Sequence, residues 1–191
     1  MAAWKSLLLV GAALLLATSV SSQGSDPMVP RAKGTAVVKA AVKAAVKKVI
    51  DSSIFPPDHD FLRSIAWVES KDCNDKDTYR PGYYGGCWQV DKIGFIDTQT
   101  HPTAKSKLHG PIKAKFGIDW PKTVWSDLEK PFYSALAARM KLYITGVPAM
   151  CLQAIPSDVN GQALHWKKCY NTDSGAGTVE KYLEAISHMP K

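Results

Sequence analysis

The residue whose placement asks for chemistry is Glu69, in the stretch "IAWVESKDC" at residues 65–73. Leu62, Ile65, Ala66 and Glu69 are related by i, i+3, i+4 and i+7, so the glutamate shares the inward stripe of a helix. Partial burial, beside a helix C-terminus whose dipole disfavours negative charge, should raise its pKa toward what a general acid needs at neutral pH. On spacing alone, a solvated glutamate at a helix end is the simpler reading. Other chemistries find less support. His59, His101, His109, His165 and His188 show no partnership with a Ser or Cys nucleophile, and "SGAGTV" lacks the GK[ST] of a phosphate loop. There is no CxxC and no histidine at ligand spacing, so no metal is expected.

The elements that must position Glu69 read as mostly helical. A helix should begin near Asp58, which can cap it after "FPP". A turn-rich stretch with Gly82, Gly85 and Gly86 follows and ends in the strand-like "CWQVD", which predicts a small β-turn or hairpin near 79–91. Further helical patterns lie in "DLEKPFYSALAARMKLYI", "GQALHWKKCY" and "GTVEKYLEAISHM". Upstream, "TAVVKAAVKAAVKKVI" puts Lys39, Lys43 and Lys47 on one face and Val38, Val42, Val46 and Val49 on another. That amphipathic helix reads as packed on the domain, because its apolar face lacks the aromatic anchors of interfacial helices; a membrane-acting peptide released near Arg31 is the competing reading. The expected organisation is a signal peptide at 1–22, a flexible lead or propeptide at 23–34, the basic helix at 35–50 and one domain at 51–191.

Residues 7–16 are apolar, flanked by Lys5 before and small residues after, so the chain is expected to be secreted and extracellular, with no transmembrane segment. Four cysteines agree with export, and short loops favour Cys73 with Cys87 and Cys151 with Cys169 among three connectivities. The net charge of +7, lowered by Lys5 alone on leader removal, suits anionic surfaces such as bacterial walls and equally suits simple solubility. No nucleic-acid partner and no organic cofactor are implied.

Three pieces in order carry a resemblance: Glu69-Ser70 at a helix end, Gly86-Cys87-Trp88-Gln89-Val90-Asp91, and Tyr170-Asn171 followed by Gly175-Ala176-Gly177-Thr178-Val179. Together they resemble the goose-type lysozymes and soluble lytic transglycosylases, over most of residues 55–187. The resemblance implies a lysozyme-like α+β fold and cleavage of the β-1,4 bond between N-acetylmuramic acid and N-acetylglucosamine in peptidoglycan, with Glu69 as the acid. It further implies that Asp91 holds water, that Tyr170 hydrogen-bonds Glu69 or a sugar, and that the Gln89 amide contacts acetamido or hydroxyl groups. Asn171 either holds its turn or touches sugar. Tyr83, Tyr84 and Trp88 are the candidate subsite walls, while Trp67, Trp120, Trp125 and Trp166 lie on apolar patterns and are expected in the core. Where the family often has a second aspartate this chain has Arg80, with Asp75 and Asp77 nearby as substitutes. Cys87 replaces the usual leucine, and "YNTDSGAG" is two residues longer than the family's "YNAGAG". These departures fit a divergent enzyme and also fit a scaffold that binds glycans without cutting them.

Overall fold

The computed structural model describes residues 25–31, 36–172 and 174–190; the leader lies outside them. Among the described residues seven α-helices run in the order α1 Ala36–Ile50, α2 Phe61–Ser70, α3 Lys92–Thr100, α4 His109–Phe116, α5 Pro131–Ile144, α6 Val159–His165 and α7 Val179–Ser187. Short 3-10 turns and two π-helical segments, Ala104–Leu108 and Trp166–Asn171, join them. The mostly helical reading holds. The β part of the α+β expectation does not, since no strand occurs among the described residues.

The correction falls on "CWQVD". Gly86–Trp88 is a 3-10 turn, and Gln89 follows with a left-handed φ of 51°. Its backbone N–H groups are satisfied within the turn, Gln89 donating to Gly86 and Val90 to Gly85, both at 3.1 Å. A left-handed residue breaks the two-residue alternation a strand needs, and no neighbouring strand offers a ladder. Gly86 is itself required: φ is +62°, and a Cβ would overlap the Leu128 carbonyl and the Ser134 side chain.

α5 is the central element. Pro131 starts it, and it buries Phe132, Ala135, Leu136, Ala138 and Met140 among other residues. α1 packs its small apolar face, Val38, Ala41, Val42, Ala45 and Val49, against α5 and α2. The valine face that a membrane-acting helix would need is therefore spent on the core. Residues 25–31, read from sequence as part of a flexible lead, are docked: Phe132 donates to the Pro27 carbonyl at 2.9 Å and Arg31 to that of Glu129 at 3.0 Å. α2 begins at Phe61, and Asp58 accepts the Leu62 N–H at 3.2 Å, three residues upstream of the helix.

Candidate active site

Glu69 closes α2, and the chain beyond it is held in an unusual path. Lys71, Asp72 and Cys73 have φ of 50°, 59° and 67°, three successive left-handed residues that are not glycine. Such a conformation costs roughly 1–3 kcal/mol per residue and persists only where surroundings enforce it. Three ties do so. Arg63 clasps Asp72 through two hydrogen bonds of 2.6 Å. Ser70 Oγ donates to the Cys87 carbonyl at 2.6 Å and accepts the Cys73 N–H at 2.8 Å. The Cys73–Cys87 disulfide joins this turn to the 86–88 turn, and Cys151–Cys169 fastens the π-helical segment 166–171. Both pairings are the two local ones.

The Glu69 carboxyl is thereby presented, part-buried, to an open cleft of about 510 Å³ lined also by Val68, Trp166, Asn171, Gly177 and Glu184. Burial pushes its pKa up from 4.5 to about 7, against the opposing pull of the Trp166 N–H and the Lys141 ammonium. Trp166 Nε1 donates to Glu69 Oε1 at 2.8 Å. Trp166 is buried, as expected of a core residue, yet its one polar atom serves the carboxylate. Gly177 permits this, because a Cβ there would run into the indole.

Tyr170 does not hydrogen-bond Glu69. It is buried, and its hydroxyl donates to the Trp88 carbonyl at 2.6 Å, joining the π-helical segment to the 86–88 turn. Burial, with the nearby Glu69 charge next, holds this phenol well above its ordinary pKa. Lys141, unpredicted, feels both carboxylates. Its Nζ donates to the Tyr170 carbonyl at 2.9 Å and sits 4.7 Å from the Tyr170 ring centre, while Asp91 and Glu69 both attract it. Burial nevertheless lowers its pKa. Its stem crosses Gly94, whose N–H donates to Asp91 Oδ1 at 2.6 Å. Asp91 thus caps α3 with one oxygen and stands exposed.

The candidate sugar contacts divide. Trp88 is a correction: it is wholly buried, its Nε1 donating to Leu62 at 2.8 Å, because the 3-10 turn aims its ring into the core. Gln89 is another, for both amide hydrogens are committed to the Thr78 and Gly86 carbonyls and its oxygen accepts from Arg80 at 2.9 Å. Arg80 takes up that structural task and stacks 3.5 Å from the Tyr83 ring centre. Tyr83 and Tyr84 do reach the surface region, with Trp125 edge-on between them at 5.3 and 5.5 Å. Trp125 is part-exposed and not a core residue; its Nε1 is fixed on Val90 at 3.0 Å. Trp67 is likewise only part-buried. Asn171 lines the Glu69 cleft and also holds its turn, accepting from Lys167 at 3.3 Å. Asp75 and Asp77 are exposed, the first accepting the N–H of the second at 2.9 Å.

Among the described residues no three His, Cys, Asp or Glu side chains converge as a metal ion would require, and no helix is long and apolar enough to cross a membrane. No protein-family model, curated protein or solved structure matches the chain. Sequence reasoning missed Lys141, the Trp166 contact and Glu184. Only Lys141 left a signal, a charge inside the apolar run "ALAARMKLYI".

Proposed function

We propose that this is a secreted glycosidase of lysozyme type that cleaves the β-1,4 bond between N-acetylmuramic acid and N-acetylglucosamine in peptidoglycan. The observation that carries the reading is a cleft-facing carboxyl whose pKa is pushed up to about 7. Such a group is part-protonated at neutral pH and can still release its proton, the balance a general acid requires. In the reaction Glu69 protonates the leaving glycosidic oxygen as an oxocarbenium-like transition state develops. The carboxylate left behind is stabilised by the Trp166 N–H and the Lys141 ammonium. With one oxygen on Gly94, Asp91 keeps the other for an attacking water. Attack by the muramic acid O6 would instead need only Glu69, which takes the O6 proton back, and would give a 1,6-anhydro end. Tyr83, Trp125 and Tyr84 supply ring surface for sugar faces. The leader sequence and two disulfides support an oxidising, extracellular setting.

A second reading, a non-catalytic glycan-binding or matrix protein, draws on the internal commitment of Gln89 and Trp88, which leaves fewer sugar contacts than the resemblance implies. Digestion of peptidoglycan followed by mass spectrometry separates the two. Reducing-end muropeptides that vanish in Glu69→Gln support hydrolysis, and 1,6-anhydro ends support the transglycosylase route. Binding without products from folded protein would overturn the enzyme.

A further inference from the structure

α5 carries two cations, Arg139 buried and Lys141 half-buried, and they serve different sides of the molecule. Arg139 and Lys141 are two positions apart, about 200° around the helix, so with Lys141 toward the Glu69 cleft Arg139 points away from it. There it lines a second cavity of about 290 Å³, near the small end of ligand pockets, which run from roughly 300 Å³ upward. Arg139 is 4% exposed; it lies 5.1 Å from the Phe55 ring centre, and among the described residues its one hydrogen bond is from Nη2 to the Pro56 carbonyl at 2.9 Å. A guanidinium has five N–H donors, so the rest find no acceptor among the described residues. Asp58 attracts Arg139 without a direct hydrogen bond to it among the described residues, and one of its oxygens accepts the Leu62 N–H.

Two more polar groups meet at the same cavity. His165 is 2% exposed, packs edge-on against Phe61 at 5.6 Å, and makes no ring hydrogen bond among the described residues. Tyr143 also lines the cavity, and its hydroxyl makes no hydrogen bond among the described residues. None of these polar atoms is sealed away in the protein interior. Leu142, Leu152, Ile155 and Pro57 supply apolar walls, and Cys151 of the second disulfide completes the rim. Arg139 therefore keeps N–H donors open to this cavity, and convergent polar groups in a small apolar cavity are the form a ligand site takes.

We propose that this cavity binds a small organic carboxylate. The anion sits on the Arg139 guanidinium, which matches its two oxygens; Tyr143 and His165 add hydrogen bonds, and the apolar body rests on Leu142, Leu152 and Ile155. The site uses none of the Glu69 machinery and stands whether or not the protein cleaves glycans.

The test is calorimetric titration of the disulfide-intact protein with benzoate and with hexanoate, alongside NMR of the His165 imidazole. Saturable binding that moves the His165 resonances is expected, with benzyl alcohol and inorganic phosphate at least about tenfold weaker. Tyr143→Phe should weaken benzoate about three- to tenfold, and Arg139→Lys by about tenfold or more, both in protein whose melting shows it folded. Glu69→Gln should bind as wild type does. The proposal fails if folded wild type binds neither acid saturably, if benzyl alcohol or phosphate binds equally well, or if both cavity variants bind unchanged.

Discussion

Glu69→Gln should stabilise the fold, by an amount that depends on pH. In the folded protein the carboxyl titrates at about 7, against an ordinary value of 4.5. Between those values the folded chain holds a proton that the unfolded chain has already released. The folded state then binds more protons, so stability falls as pH rises through this window. At about 1.36 kcal/mol for each pH unit between the two values, the loss reaches roughly 3 kcal/mol above the upper one. Glutamine has nearly the same shape, can accept the Trp166 N–H through its amide oxygen, and carries no charge, so the variant escapes that loss. Urea denaturation should therefore find the two proteins within about 0.5 kcal/mol near pH 4. Near pH 8.5 the variant should gain roughly 3 kcal/mol, or about 6–12 °C in Tm for a chain of this size. A gain of the same size at both pH values, or a loss at the higher one, would refute burial of the carboxylate as the source of its raised pKa.

Lys141→Met should move the Glu69 titration further upward, by about half a unit or more, because a neighbouring cation favours the carboxylate; Lys141→Arg should restore it. Carboxyl carbon NMR of Glu69 reads this directly, and an unmoved midpoint in folded Lys141→Met would exclude the coupling. Replacing Cys73 and Cys87 together by serine opens a loop of 14 residues, which should lower stability by about 3 kcal/mol in urea. An unchanged urea midpoint would show that Arg63–Asp72 and Ser70 hold the left-handed turn unaided. On the proposed function, Trp125→Ala should raise KM for wall oligosaccharides about two- to tenfold with kcat little changed; an equal fall in kcat would place the ring at the reacting bond instead.

The face Glu69 takes was legible because one helical period and the apolar neighbours at 62, 65 and 66 fix it, although spacing alone leaves a solvated glutamate the simpler reading and the "ES" resemblance tips the balance. The short cysteine loops were legible for a similar reason, since their ends are close in any compact path. What escaped was decided by backbone conformations that residue types do not announce. Lys71, Asp72, Cys73 and Gln89 are all left-handed without being glycine, and each is held there by contacts from segments distant in sequence or by the turn's own hydrogen bonds. That turned an apparent strand into a 3-10 turn and exchanged the parts of two tryptophans. Trp88, placed by pattern at the cleft, is swung into the core, while Trp166, placed in the core, reaches the carboxylate.

The largely buried helix α5 carries a different lesson. "ALAARMKLYI" contains Arg139 and Lys141, and burial opposes the charge of each. Apolar patterning accounts for every neighbour and leaves these two unexplained. Methionine or leucine would fill the same space without desolvating a cation, and such replacements of buried charges are often neutral or stabilising. Lys141 has its explanation in the carbonyl and ring of Tyr170 and in the carboxylates of Glu69 and Asp91. Arg139 has the Pro56 carbonyl, the Phe55 ring 5.1 Å away and the attraction of Asp58. Its remaining N–H donors meet no hydrogen-bond acceptor among the described residues, which is why the second cavity suits a carboxylate.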